Sequence, residues 1–415
     1  MNKHSFSANK QSFSSNKPER TIGVGGTFIS PKAKKYVRQV LDSNRLSYGP
    51  FTQRFESEFA SLHDRKYALF CNSGTSALQV GLHALKEKYG WEDGDEVLVP
   101  AITFVASSNV IIQNNLKPVF VDIDPVYYEI DPSKIEAKIT KKTRAIMPVH
   151  LFGQPCDMDP IMEIAKKHNL RVIEDSCETM FVKYKGKPTG SWGDVACFST
   201  YVAHLIVTGV GGLTLTNDDD LAVLIKSLYN HGRDSIYISI DDDDTQDKSK
   251  LFKIVERRFS FVHVGYSYRG TEMEGALGVA MLETKDQMLK KRWRNAQALL
   301  RRLRKYSNYL QLPKVRPETE HAFMMFPIVV EKDAPFSRED LIFFLEAAGI
   351  ETRNLMPLLS QPVYKEIFGE IEDQYPVAKW VDHNGFYIGC HQEIKKSDID
   401  YMTSVFDRFF ASLKK

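Results

Sequence analysis

The chain has 415 residues, of which 43% are hydrophobic and 26% are charged. This balance is typical of a globular protein, and the length is about two to three times that of a single domain, which excludes a disordered chain and a small binding module. Lys and Arg number 55 and Asp and Glu 53, so the formal charge is +2. Such a small charge excludes a global field for nucleic acid or an anionic membrane, and binding therefore depends on specific sites.

Cysteine usage and the first residues bear on the cellular compartment. The five cysteines are far apart in the sequence, without a C-x-x-C pair or a Cys/His cluster at metal spacing: Cys71, Cys156, Cys177, Cys197 and Cys390. This pattern favours a reducing cytoplasm and no metal site. Residues 1–21 are rich in Ser, Asn and Lys and lack the apolar segment of a secretory signal, so we expect a disordered tail.

From about residue 53, short β-branched runs alternate with segments of helical periodicity. Strands are predicted at Tyr67–Phe70, Glu96–Val99, Pro118–Asp122, Arg144–Leu151 and Arg171–Asp175. Helices are predicted at Phe51–Leu62, Thr75–Lys88 and Pro160–His168. This alternation predicts a mainly parallel sheet covered by helices. The runs Val195–Ser199 and Gly212–Thr216 have too little chain between them for a crossover helix, so part of the sheet is expected to be antiparallel.

The character of the sequence changes after Asn230. Asp241–Asp244 is an acidic run, most simply a solvated loop insertion. Thr271–Lys305 is strongly helical, and the basic face of its second half is interpreted as solvated surface. Apolar runs and helices mix from His321 to the end, which predicts an α+β unit. We expect a large domain at 22–285 and a small domain at 286–415.

Three local patterns indicate a binding crevice. The small residues Asn72–Ser76 lie between a predicted strand and a predicted helix, where free backbone N–H groups and the helix dipole favour an anion; alone, the motif fits a simple helix cap equally well. Asp175 ends a buried strand, and its charge requires a cationic partner such as a protonated pyridine nitrogen. Phe104, at the end of a neighbouring strand, can stack on a flat ring, although such a residue is more often part of a core.

The ordered segments SGTSAL, PAITFVASSN, IED, FSTYVAHLIVTGVGG and NHGRD together resemble the sugar aminotransferase family of fold-type I pyridoxal-phosphate enzymes. The resemblance extends from about residue 22 to the C-terminus and implies an α/β large domain with a smaller α+β C-terminal domain. It also implies a set of cofactor contacts. The phosphate is held by Gly74, Thr75 and Ser199, the ring stacks on Phe104 and its nitrogen pairs with Asp175. Arg269 is implied to reach the phosphate in the other subunit's site, and hence a homodimer is expected.

One position departs from the transaminase pattern. Family members have a lysine that binds the cofactor covalently, whereas His204 occupies that position here, and residues 188–225 contain no lysine. Imidazole cannot form this bond, so the cofactor is expected to be non-covalent, with His204 as a general base. The same substitution is characteristic of the pyridoxamine-phosphate-dependent sugar 3-dehydratases, the branch typified by GDP-4-keto-6-deoxymannose 3-dehydratase. Glu178 and Arg269 also resemble this branch, and Glu178 is included among the expected cofactor contacts.

The resemblance implies removal of the C3 hydroxyl from a nucleotide-linked 4-keto-6-deoxy sugar, with pyridoxamine 5'-phosphate as cofactor and glutamate as the expected amine donor. The scattered cysteines do not resemble the branch that uses an iron–sulfur cluster, so no iron–sulfur reductase partner is expected. Two alternatives remain open. One is an aminotransferase that tolerates histidine; the other is a non-catalytic protein that retains the cofactor pocket. The lack of a basic arm argues against a DNA-binding role for the latter.

Overall fold

The computed structural model describes residues 20–234, 252, 256–257 and 259–413. Residues 1–19 of the expected tail and the acidic run Asp241–Asp244 lie outside the described residues. In the part of the chain that is described, no helix is both long enough and apolar enough to cross a lipid bilayer.

A seven-stranded sheet forms the centre of the large layer. Its strands follow the order β1-β9-β8-β5-β4-β2-β3. Strand β9 runs antiparallel to both of its neighbours, whereas the other pairs are parallel. The bounds are β1 Tyr67–Cys71, β2 Glu96–Pro100, β3 Lys117–Val121, β4 Thr143–Ile146, β5 Arg171–Asp175, β8 Val195–Ser199 and β9 Gly212–Thr216, with a small hairpin of β6 Lys183–Tyr184 and β7 Lys187–Pro188.

Helices of this layer lie at α1 Pro31–Ser43, α2 Pro50–Leu62, α3 Gly74–Tyr89, α4 Val105–Gln113, α5 Pro132–Ile135, α6 Met158–Lys167, α7 Asp219–Tyr229 and α8 Glu272–Leu282, with a 3-10 turn at Glu136–Lys138. Helix α3 is buried over its first three turns, apart from Thr75 and His83. It begins where the Ser73 hydroxyl caps the N–H of Ser76, and it ends at Gly90, whose φ of +63° suits glycine. The N-terminus of α3 is thereby fixed at the edge of the sheet.

A second sheet follows along the chain, with four antiparallel strands in the order β10-β11-β13-β12. The strands are β10 Leu310–Gln311, β11 Phe326–Val330, β12 Thr352–Asn354 and β13 Gly385–Ile388. Its helices are α9 Lys285–Leu303, α10 Arg338–Ala347, α11 Pro362–Phe368, α12 Pro376–Asn384 and α13 Lys396–Ser412, with 3-10 turns at Arg304–Tyr306 and Glu372–Gln374. This is the α+β arrangement expected for the C-terminal part.

Each sheet has residues from the other part of the chain in its apolar core. Ile22 pairs with Ile350 and belongs to the apolar core beneath the second sheet. Conversely, the core around the first sheet includes Leu355 and Tyr364 from the second layer. Because α9 begins between the two sheets, we retain 22–285 and 286–415 as the proposed domains.

The predicted strands overlap the observed ones, and three of them, β5, β8 and β9, have the expected bounds. The prediction of a strand over Arg144–Leu151 was too long, since β4 ends at Ile146. Pro148 has no N–H to donate to the ladder, and beyond it Val149 makes only an isolated bridge to Asp175. The regular ladder of β4 therefore ends at Ile146.

Candidate active site

The turn before α3 forms an open anion-binding cup. Ser73 caps the helix through its hydroxyl, at 3.0 Å from the N–H of Ser76. The N–H groups of Gly74 and Thr75, which lie between Ser73 and Ser76, belong to the first turn of the helix and have no acceptor within it. Thr75 is exposed beside them. The positive end of a long buried helix thus faces the same point as these donors.

Ser199, at the end of β8, closes one side of this cup. A Cβ atom added to Gly74 would lie 2.5 Å from the Ser199 Cβ and 3.0 Å from its hydroxyl, so only glycine allows the two segments to meet. A Cβ at Gly212 would likewise collide with the Ser73 carbonyl. The structure therefore brings Gly74 next to Ser199, and Thr75 follows Gly74 in the same helical turn.

Asp175 lies at the carboxyl end of β5 and is buried. The Ser107 hydroxyl donates to its Oδ2 at 2.7 Å, and the N–H of Cys177 donates to its Oδ1 at 3.1 Å. The hydroxyls of Thr103 and Ser107 are 2.8 Å apart. Because the Ser107 proton is already donated to Asp175, Thr103 is the donor in this second bond. Burial nevertheless raises the pKa of Asp175, although the hydrogen bonds from Ser107 and Cys177 oppose this shift. A cationic ring nitrogen would supply a counter-charge.

Sequence reasoning missed two supports of this carboxylate. Ser107 is one, and the only feature of the sequence that could have indicated it is a serine in the first turn of α4. The other is the neighbouring Glu174, whose carboxylate contacts the side chains of His150 and Arg65. Three backbone N–H groups also donate to this carboxylate, those of Gly190, Trp192 and Gly193.

Burial alone would raise the pKa of Glu174. The hydrogen bond and charge of His150 and the charge of Arg65 outweigh this effect and lower the pKa to about 2. The ionised Glu174 thereby fixes the end of β5, and with it the position of Asp175.

Phe104 and Glu178 lie on the two segments that contact Asp175: Phe104 precedes the helix that carries Ser107, and Glu178 follows Asp175 by three residues. Phe104 is the N-cap residue of α4, and 59% of its surface is exposed, so it is not a core residue. Its ring is free to stack on a flat ligand. Glu178 is buried and accepts the N–H of Phe152 at 2.9 Å. Burial raises the pKa of Glu178 to about 8, so its carboxyl group is mostly neutral at pH 7 and can donate a hydrogen bond.

His204 lies in the loop between β8 and β9 and is half-buried. Its Nδ1 is 3.2 Å from the backbone oxygen of Ser199. Because that oxygen can only accept, the hydrogen bond assigns the proton to Nδ1 and leaves a lone pair on Nε2. Burial, and to a smaller extent the charge of Arg292, lower the pKa of His204 to about 4, although the hydrogen bond to Ser199 opposes this shift. The imidazole is therefore neutral at pH 7 and able to accept a proton.

Arg269 is placed next to the cup by its backbone, which forms an antiparallel bridge to Cys71. Its exposed side chain donates to the Ser267 hydroxyl at 3.0 Å and lies 3.4 Å from Nε2 of His231. The guanidinium is thus held at the surface, beside the strand that leads into the phosphate turn.

A sequence profile of the DegT/DnrJ/EryC1/StrS aminotransferase family matches residues 28–407. The chain belongs to this family. It is 36% identical to the GDP-perosamine synthase of Caulobacter vibrioides over 389 residues, which cover 93% of the chain and 98% of that relative. It is 31% identical to the GDP-4-keto-6-deoxy-D-mannose 3-dehydratase of Yersinia pseudotuberculosis over 366 residues, 86% of the chain and 90% of that relative.

Solved structures of DegT/DnrJ/EryC1/StrS relatives share the fold. The E. coli GDP-4-keto-6-deoxy-D-mannose-3-dehydratase with bound hydrated pyridoxal phosphate has a TM-score of 0.83 and 28% identity, covering 93% of this chain and all of that chain. The aminotransferase from Psychrobacter cryohalolentis has a TM-score of 0.85 and 30% identity over 95% of this chain. These matches confirm the fold-type I α/β architecture and a pyridoxal-phosphate-dependent, sugar-modifying enzyme.

Proposed function

We propose that the protein is a nucleotide-sugar 3-dehydratase that removes the C3 hydroxyl of a nucleotide-linked 4-keto-6-deoxy sugar and yields a 4-keto-3,6-dideoxy sugar. The observation that carries this proposal is His204. The resemblance of the surrounding segment places it where family transaminases have lysine, and its hydrogen bond to Ser199 leaves Nε2 ready to accept a proton. An imidazole moves protons but forms no stable covalent bond to an aldehyde cofactor.

The residues present fit pyridoxal or pyridoxamine 5'-phosphate. Gly74, Thr75 and Ser199 form a cup that suits the phosphate, and a Cβ at Gly74 would fill the approach to Ser199. Phe104 offers a stacking face, and the buried Asp175 carboxylate suits a protonated ring nitrogen. When bound, this cofactor supplies an amine for the sugar ketone and a ring that accepts electrons. We propose that it is held without a covalent bond to the chain.

Each side chain has a defined task in this scheme. His204 takes and returns a proton at Nε2, since its Nδ1 proton is engaged with Ser199. Asp175 would keep the ring nitrogen of a bound cofactor protonated, and Ser107 and the Cys177 N–H hold the carboxylate in place. Glu178, neutral at pH 7, would be able to donate a hydrogen bond to the bound cofactor. Glutamate is the proposed donor that restores the amine form, and His204 again carries the proton.

We further propose a homodimer in which Arg269 reaches the partner's cofactor phosphate. Several large apolar side chains are exposed in the single chain, as expected of a surface covered by a second copy: Phe28, Tyr201, Val202, Val210 and Val264. Arg269→Ala should weaken cofactor retention without unfolding the protein, because the side chain is exposed. Full activity of a monomer at assay concentration would contradict the shared site.

The remaining proposals concern the surroundings of the enzyme. Five free cysteine thiols are compatible with a reducing compartment, and we propose the cytoplasm. The names of the relatives, which include a lipopolysaccharide biosynthesis protein of Salmonella typhimurium, support a role in deoxysugar biosynthesis.

An aminotransferase is the second candidate, and the identity of 36% to a GDP-perosamine synthase favours it. The two activities are separated by incubating the protein with a panel of nucleotide 4-keto-6-deoxy sugars, pyridoxal phosphate and glutamate. A dehydratase product lacks the C3 oxygen and has gained no nitrogen. A product that retains this oxygen and carries an amine at C4 would contradict the proposal and establish the second candidate.

A further inference from the structure

A groove of about 660 Å³ lies between helix α9 and the chain segment that leads into α13. Neither the phosphate cup nor His204 contributes to its lining, so the groove is separate from the proposed catalytic site. Its volume falls within the range of about 300–1,000 Å³ that is usual for small-molecule sites. One wall consists of the basic face of α9, which the sequence analysis interpreted as ordinary solvated surface.

The lining of the groove is strongly cationic. Six of the lining residues are basic, and Glu393 is acidic. The six are Lys291, Arg294, Arg301 and Arg302 on α9, and Lys395 and Lys396 on the opposite wall. Arg302 pairs with Asp400, whereas the other five form no ion pair within the described part of the chain. Two facing rows of cations, five of which have no ion pair among the described residues, make the groove more positive than a single solvated helix face.

The groove also contains groups suited to a nucleobase. Trp293 lines it with 51% of its surface exposed, an unusual exposure for an indole. An exposed indole offers a stacking face for a flat base, and the nearby amide of Gln297 can donate and accept hydrogen bonds. Free phosphate would use the cations but not Trp293. The chain's net charge of +2 gives no global field for a long nucleic acid, which favours a small ligand.

We propose that this groove binds a nucleoside diphosphate, with the diphosphate between the two rows of cations and the base on Trp293. This site is additional to the proposed function and does not depend on it. Its test is a binding measurement that requires no turnover, so failure of the groove and failure of the dehydratase proposal are distinguishable.

The experiment is isothermal titration of the cofactor-saturated protein with GDP at low salt. Arg301→Glu should weaken one binding event on the order of tenfold or more, because it replaces a charged donor to the diphosphate by a repelling carboxylate. Arg304→Glu is the matched control: this arginine is exposed three residues further on, outside the groove lining, and the variant carries the same change in charge. It should keep the parental affinity. An unchanged isotherm for Arg301→Glu, or an equal loss in Arg304→Glu, would overturn the site.

A second pair of titrations tests the base. Trp293→Ala should weaken GDP binding while leaving inorganic pyrophosphate binding unchanged, because pyrophosphate has no ring to stack. Equal affinity of the parent for the two probes would overturn the nucleoside part of the proposal. Tighter binding of a single-stranded oligonucleotide than of GDP, lost in Arg301→Glu, would assign the groove to nucleic acid instead.

Discussion

Gly74→Ala tests whether the phosphate cup depends on the close approach of α3 to Ser199. The added Cβ would lie 2.5 Å from the Ser199 Cβ and 3.0 Å from both its hydroxyl oxygen and the Cys177 sulfur. Overpacking of this kind costs about 1–3 kcal/mol. Alanine regains up to about 1 kcal/mol of helix propensity, so the net loss of stability should be about 0–3 kcal/mol.

The effect on cofactor binding should be larger than the effect on folding. To relieve the clash, Ser199 must move away from the N–H groups of α3, which removes at least one hydrogen bond to a charged phosphate. Such a bond contributes about 1.5–3 kcal/mol, so the dissociation constant of pyridoxal phosphate should rise about tenfold to a hundredfold. Absorbance titration with the cofactor measures the affinity, and urea denaturation measures the stability.

Gly81→Ala is the control on the same helix. Its Cβ would meet the Val195 side chain at 3.0 Å and the Cys197 sulfur at 3.2 Å, in the core and away from the cup. This variant should lose stability but keep the parental cofactor affinity. Parental affinity in Gly74→Ala, or an equal loss of affinity in Gly81→Ala, would refute the assignment of the cup.

The other predictions concern protons. His204→Asn should retain the cofactor yet lose a factor of about 10² to 10⁴ in deoxygenation, whereas His204→Lys should bind the aldehyde form covalently, detectable as a borohydride-stable adduct by mass spectrometry. Turnover of the Asn variant near the parental rate would assign the proton transfer to another group. The pH profile of kcat/KM should decline below about pH 4, where His204 becomes protonated, and above about pH 8, where Glu178 ionises. Glu178→Gln should abolish the alkaline decline. Persistence of that decline in the variant would show that another group causes it. Burial lowers the pKa of His63 to about 4, so the fold holds it neutral while the unfolded chain protonates it near 6.5. Stability from this residue is complete above pH 6.5 and declines towards pH 4 by about 3 kcal/mol, a decline that urea denaturation should find reduced in His63→Met.

Much of the large layer could be predicted from the sequence because strand ends and site motifs coincide. Asp175 and Ser199 each end a strand whose bounds were predicted correctly, and Gly74 begins the helix that the turn predicts. The end of β4 could not be read from its apolar residues, since Pro148 interrupts the ladder while hydrophobicity continues to Leu151.

Contacts between distant segments were beyond the sequence. Glu174 stands beside Asp175 in the printed chain, but nothing there connects it with Arg65 on a separate element. The basic half of α9 likewise has the pattern of a solvated helix. Only the folded chain places Lys395 and Lys396 opposite it. Local sequence patterns identify candidate site residues, whereas the residues that hold them in place are found only in the folded chain.

The fate of the donor nitrogen tests the central claim most directly. The protein is supplied with a nucleotide 4-keto-6-deoxy sugar that it turns over, pyridoxal phosphate and glutamate labelled with heavy nitrogen, and both the sugar product and the released ammonia are analysed by mass spectrometry. Dehydration through His204 predicts that all of the label appears as free ammonia and that the sugar has lost its C3 oxygen. Label retained on the sugar, with the C3 oxygen still present, would contradict the account.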